Sequence, residues 1–225
     1  MNEQTKNQFS FSQFTQGGDF DVESFLVKNK MIVFTVVFAI IALISSYFVF
    51  QYKRNASNEI YNGKIQNFET QVLVTLNSEE LIANAIEQFK KLKNEVGTYR
   101  GLVPTSLAFS DKLALFNKHV ESADILQSMV KNCDSDYCRY FVFQRLAVSF
   151  ENAGNIQGAI SQVESLNKLS FKGFEGKNYL DLGRLYLKSG DKAKAKVSFQ
   201  YVVEKAKEDQ EFVKLAKIYL SREAL

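Results

Sequence analysis

Cys133 and Cys138 enclose the tetrapeptide Asp-Ser-Asp-Tyr and are the only two thiols in the chain. Their spacing leaves three chemistries open. A short loop can bring two alpha carbons within bridging range, which gives a structural disulfide and would place this region in an oxidising compartment. Two free, buried thiols are the second reading. Metal or redox work is the third, and it is poorly served. No histidine lies nearby in sequence, four ligands are the norm for zinc, and the spacing is not the Cys-x-x-Cys of redox motifs.

The other reactive side chains are scattered. The single histidine, His119, falls in an expected turn around Asn117–His119 and reads as a surface residue. "GFEGK", Gly173 to Lys177, has a passing likeness to a phosphate loop. It lacks that loop's spacing and the strand before it, so it reads as a turn between repeats. Asn55-Ala56-Ser57 forms a glycosylation triplet of a kind that chance supplies often. No carboxylate pair, serine elbow or metal-ligand cluster stands in a suitable context. The expectation is a protein that is not an enzyme and that needs no cofactor and no metal.

Elements must therefore carry the function. Of the 225 residues, 46% are hydrophobic and 24% charged, with one proline and no tryptophan. One proline in such a length suits helix throughout, because proline breaks helix interiors. Beyond residue 50 there are 25 Lys and Arg against 21 Asp and Glu, interspersed rather than striped. That pattern describes a solvated surface and not a nucleic-acid footprint.

Met31 to Phe50, "MIVFTVVFAIIALISSYFVF", contains no charge. Twenty helical residues rise about 30 Å, the thickness of a bilayer core. Thr35, Ser45 and Ser46 can bond back to their own helix, and Tyr47 and Tyr52 stand where interfacial aromatics belong. The run is too long for a cleaved signal peptide, and no small-residue cleavage site follows it. We therefore expect an uncleaved transmembrane signal-anchor helix over 25–52, with its core at 31–50. Lys28 and Lys30 on one side balance Lys53, Arg54 and Lys64 on the other, so the charge flanks do not set its orientation. Residues 1–24 are rich in Gln, Asn, Ser and Gly, which predicts a disordered tail. Its phenylalanines, Phe9, Phe11, Phe14 and Phe20 with Phe25 beyond, suit contact with a membrane surface or a short motif for a partner.

From residue 53 onward the apolar spacing is helical. Ile60, Tyr61, Ile65, Phe68, Val72 and Leu76 recur at helix period, with Asn77 or Ser78 capping the next helix. Leu81, Ala85, Phe89 and Leu92 continue on one face. A repeat of about 34 residues emerges towards the C-terminus. In the clearest copy, 176–209, Tyr179, Leu182, Gly183, Tyr186, Gly190, Ala195 and Phe199 occupy the positions of a tetratricopeptide repeat. The copy before it, 140–173, places Phe143, Leu146, Ala147, Phe150, Gly154 and Ala159, with Val163, at the equivalent sites. Gly183 and Ala195 allow two helices to approach closely, while Leu182, Tyr186 and Phe199 fill the groove between them. Gly190 suits a left-handed turn, and Asp191 and Asn155 suit helix N-caps. Two degraded hairpins precede these copies, one using Ala85 and Phe89, the other Ala123. The expected fold is all-α: one transmembrane helix, then a solenoid of about four hairpins over 53–225, closed by a capping helix at 210–225.

This order of parts resembles the YfgM-like ancillary subunit family of the bacterial Sec translocon. The resemblance runs through "GTYRGLVPTSLAFS" (Gly97–Ser110) with its expected helix start at Thr98-Tyr99, "SADILQSMV" (Ser122–Val130), Phe143–Ala159, and "LKSGDKAKAKVSFQYVV" (Leu187–Val203). It implies a single-pass inner-membrane protein with a cytoplasmic N-terminus and periplasmic repeats. It also implies as partners the Sec channel subunits and a membrane-anchored periplasmic prolyl-isomerase chaperone, during protein export. A scaffold of another envelope complex, self-associating as a homo-oligomer, is the alternative. Neither reading involves nucleic acid.

Overall fold

The computed structural model describes residues 26–222. The expected tail at 1–24, with Phe25, and the last three residues of the expected cap lie outside the described residues. All the regular structure described is helical. Two compact units divide between Ala56 and Ser57.

The first unit is the apolar part of helix α1, Lys30–Phe68. Its large side chains are exposed along the whole run, Phe34, Phe38 and Leu43 among them. This stretch is long and apolar enough to cross a bilayer, where such exposure costs nothing. Thr35 donates its hydroxyl to the Met31 carbonyl at 2.8 Å, so the polar group is satisfied within the helix. The backbone does not pause at residue 52. No proline, cap or left-handed residue interrupts the run after Phe50, so the helix continues to Phe68 and ends in a π-type turn, Glu69–Leu73.

The second unit begins on that same helix, where Ile65 and Phe68 become buried. Helix α2, Ile82–Val96, meets its end through Phe89, whose ring lies 5.6 Å from Phe68, and through Glu95, which accepts from Lys64 at 2.7 Å. Three hairpins follow: α3 (Leu102–Leu115) with α4 (His119–Met129), α5 (Asp136–Asn152) with α6 (Ile156–Lys168), and α7 (Glu175–Lys188) with α8 (Lys192–Lys205). Helix α9, Gln210–Arg222, packs on α8 and α7. Pro104 stands in the first turn of α3, where a missing N–H is harmless. Helix α3 starts at Leu102 and not at Thr98-Tyr99. Those two residues form the preceding turn, in which Tyr99 donates its hydroxyl to Asn62 Oδ1 at 2.8 Å.

The turns inside the last two hairpins are built alike. Gly154 and Gly190 have φ of +81° and +85°, a conformation in which any Cβ is strained. The next residue but one starts a helix, and the residue between caps it. Asn155 accepts from the Gly158 N–H at 2.9 Å, and Asp191 from the Lys194 N–H at 3.0 Å.

Two main cores run through the stack, with a smaller cluster around Ala123, Leu126 and Val142. The first is centred on Phe68, Phe89 and Phe109, whose ring centroids lie 5.3–5.6 Å apart. The second gathers Ala159, Ile160, Leu182, Phe199 and Val202, and α9 closes it with Val213 and Ala216. Tyr219 stacks on Phe199 at 4.7 Å.

Candidate partner-binding faces

Polar contacts tie each hairpin to the next at the spacing of the repeat. Arg145 donates to Asp111 at 3.0 Å, 34 residues away. Asp136 accepts from the Ser170 N–H at 2.8 Å, again 34 residues away. Arg184 reaches Glu151, 33 residues away, with Nη2–Oε2 at 2.8 Å. Each contact spans close to one repeat length.

Four of these side chains, Asp111, Arg145, Glu151 and Arg184, share a face with the exposed apolar residues of the first helices. On α5, Tyr137, Phe141 and Val148 are 62%, 49% and 55% exposed. Arg145 lies among them at helical spacing. On α3 the corresponding row holds Asp111 and the exposed Leu115. On α7 it holds Lys177, Asp181, Arg184 and Lys188. At one end of the face an aromatic cluster forms: Tyr140 stacks on Phe174 at 5.3 Å, and Phe171 packs on Tyr137 at 4.8 Å. The surface therefore offers flat apolar area at one end and ordered charges at the other. That combination suits contact with another polypeptide.

Glu151 is the electrostatic centre of this face. Both Arg184 and Lys188 bond to its carboxylate. The Arg184 hydrogen bonds, and then those of Lys188, pull its pKa down to about 2. Two cations thus hold it as an anion.

The opposite side of α7 presents a groove. At 100° per residue, Tyr179, Leu182 and Tyr186 point away from Arg184. They floor a space of about 670 Å³ walled by α6 and α8. Tyr186 donates its hydroxyl to Glu164 at 2.6 Å. Burial, and then that bond, push the phenol up to about 12. The ammonium of Lys194 lies 5.3 Å from the centre of the Tyr186 ring.

The residues singled out from the sequence take the following places. Cys133, in the loop after α4, is joined by a disulfide to Cys138 in the first turn of α5. Ala147, Ala159, Leu182, Ala195 and Phe199 are buried in the second core, against which Phe143, Phe150 and Tyr179 pack half-buried, while Leu146 is buried in the smaller cluster with Ala123, Leu126 and Val142. Gly183 faces Phe199, and Tyr179 stacks on Tyr201 at 3.7 Å. His119 is not in a turn. Asn117 takes φ +58° and ends the turn, and His119 opens α4 with its Nδ1 shielded and without a partner. In Gly173–Lys177 only Gly173 and Phe174 belong to the turn. Glu175 already begins α7, so the backbone amides form a helix and not an anion cradle. Among the described residues no group of His, Cys, Asp and Glu is arranged to hold a metal.

The sequence reading passed over the charged row and the aromatic cluster. One signal was present: opposite charges separated by one repeat length, Asp111 with Arg145 and Glu151 with Arg184.

No family model and no curated protein matches the sequence. Among solved structures, the chain is similar to the crystal structure of MamA, with 15% identity and a TM-score of 0.43, over 70% of this chain and 95% of that one.

Proposed function

We propose that the chain is a non-enzymatic, membrane-anchored module that binds other proteins through the first-helix face of its hairpin stack. The observation that carries this reading is the row of exposed aromatic and aliphatic side chains on α5, set beside an ordered ion-pair network rather than beside free acids or bases. A stack of helices offers such a face to an extended or helical segment without a cofactor. The apolar stretch of α1 would hold it in the plane of a membrane, raising the effective concentration of membrane partners.

The finer reading follows the resemblance to the YfgM-like family. The chain would be an ancillary subunit of the Sec translocon in the bacterial inner membrane, linking it to an anchored periplasmic prolyl-isomerase chaperone during export. The Cys133–Cys138 disulfide supports a periplasmic hairpin stack, since such bonds persist in oxidising compartments.

A scaffold of another envelope complex is favoured by one feature. The outer face of α9 leaves Leu215 and Ile218 more than two-fifths exposed, a poor solvent cap that a second copy could cover.

Cross-linking followed by gentle solubilisation and mass spectrometry separates these readings. Recovery of Sec channel subunits or an anchored chaperone is the expected result. Recovery of this chain alone, or of an unrelated envelope complex, would replace the export reading with the scaffold.

A further inference from the structure

The groove between α6 and α8 has a feature that a merely structural crevice does not need. Asn167 lines it, and both polar atoms of that carboxamide, Nδ2 and Oδ1, are shielded from solvent and lack any hydrogen-bond partner. Leaving a buried amide unpaired is costly, and a leucine there would avoid the cost. The terminal torsion of asparagine is broad, so a small rotation presents the donor and acceptor together.

The surroundings narrow what could meet them. Val197 on α8 is 65% exposed, and with Leu182 and the Tyr179 ring it gives an apolar wall. Lys168 and Lys194 also line the groove. The Lys194 ammonium lies 3.4 Å from the Asp191 carboxylate and hangs over the Tyr186 ring. Glu164, the acid of the lining, is already engaged by the Tyr186 hydroxyl. The groove is thus apolar along one wall, carries cations that are weakly committed, and holds one group that both donates and accepts.

We propose that this groove is a second polypeptide site, distinct from the first-helix face. Its occupant is a short extended peptide that pairs a backbone amide with Asn167, seats an apolar side chain against Val197 and Leu182, and brings a carboxylate to Lys168 and Lys194. A backbone amide matches a carboxamide donor for acceptor, and every residue of a peptide but proline carries one. The proposal rests on the protein-binding reading above and adds the chemistry of one ligand.

The test uses the full chain in lipid nanodiscs. Two pools of end-blocked heptapeptides are passed over it at low salt. One is randomised over Leu, Val, Ala and Asp, and the other has Lys in place of Asp. The acidic pool is expected to be retained at least tenfold better. Asn167→Leu should cut that retention about tenfold while leaving the melting temperature unchanged or raised. Val197→Glu, at an exposed position that cannot unfold the stack, should cut it similarly. Lys168→Glu with Lys194→Glu should invert the preference. Equal retention of both pools, or retention indifferent to Asn167→Leu and Val197→Glu, overturns the site. Cross-links from the first-helix face separate the two claims. If they persist while the peptides fail, only the groove falls, and if both fail, so does the protein-binding reading.

Discussion

Glu151 makes the stability of the fold depend on pH in a defined window. Its carboxyl is held at about 2 in the folded state, against an ordinary value of about 4.3. A depressed folded value stabilises the fold above the unfolded value, and the contribution is lost as pH falls towards the folded one. The benefit is therefore complete above about pH 5 and gone near pH 2. Arg184 and Lys188 are one-third and one-half exposed, so solvent screens part of it. About 1–2 kcal/mol is a fair magnitude. Denaturant melts of the wild type and Glu151→Gln at pH 7 and pH 3 should show the variant weaker at pH 7 and closer to wild type at pH 3. A constant gap would show that the ion pairs contribute nothing. Gly183 is a second sharp residue-scale case. A Cβ there would lie 2.6 Å from Cδ1 of Phe199, a ring with no exposed surface and Tyr219 stacked upon it. Gly183→Leu should cost about 1–3 kcal/mol by overpacking. An unchanged midpoint would mean that α7 and α8 can part more easily than this packing allows.

At the scale of elements, the turns are the fold's punctuation. Asn155→Ala and Asp191→Ala should each cost about 1 kcal/mol, and the double variant about their sum, because the caps serve different hairpins. Urea midpoints would measure this, and a null effect in both would show that packing alone sets these helix starts. Reducing the Cys133–Cys138 bond should cost about 2 kcal/mol, the entropy of closing so short a loop. Much of this level was legible beforehand. Helical spacing, one proline and the succession of turn residues gave the hairpins and the closing helix. The end of the apolar helix was less legible, because the change near residue 52 is one of composition, from apolar to charged. The backbone has no reason to stop until the turn at Glu69. The start of α3 was misjudged because Tyr99 looks like a helix residue, yet it packs back on Tyr61 at 5.4 Å. His119 was misplaced for a related reason. The left-handed residue is Asn117, so the turn closes two residues earlier than composition suggests. The candidate face was hardest to see, since its charges pair only once the hairpins are stacked.

At the scale of the molecule, the repeat spacing and the function are connected. Contacts at one repeat length let each hairpin stabilise its neighbour, so a row of side chains becomes a surface. In the proposed reading the surface carries two kinds of recognition on opposite sides of α7, an open face with aromatics and a groove with an orphan amide. The apolar part of α1 is long enough to cross a bilayer, and in the same proposed reading it supplies the third component, confinement to that bilayer.

The central claim, that the first-helix face binds protein, is tested most directly by a photo-reactive residue in place of Phe141. Phe141 is half exposed in the middle of that face and outside both cores. Irradiation in native membranes should yield discrete adducts with other proteins, while the same probe at exposed Val74 should yield few. Adducts with export components would favour the translocon reading, and adducts with this chain alone would favour the scaffold. Equal, diffuse labelling from both positions would contradict a binding face on the hairpin stack.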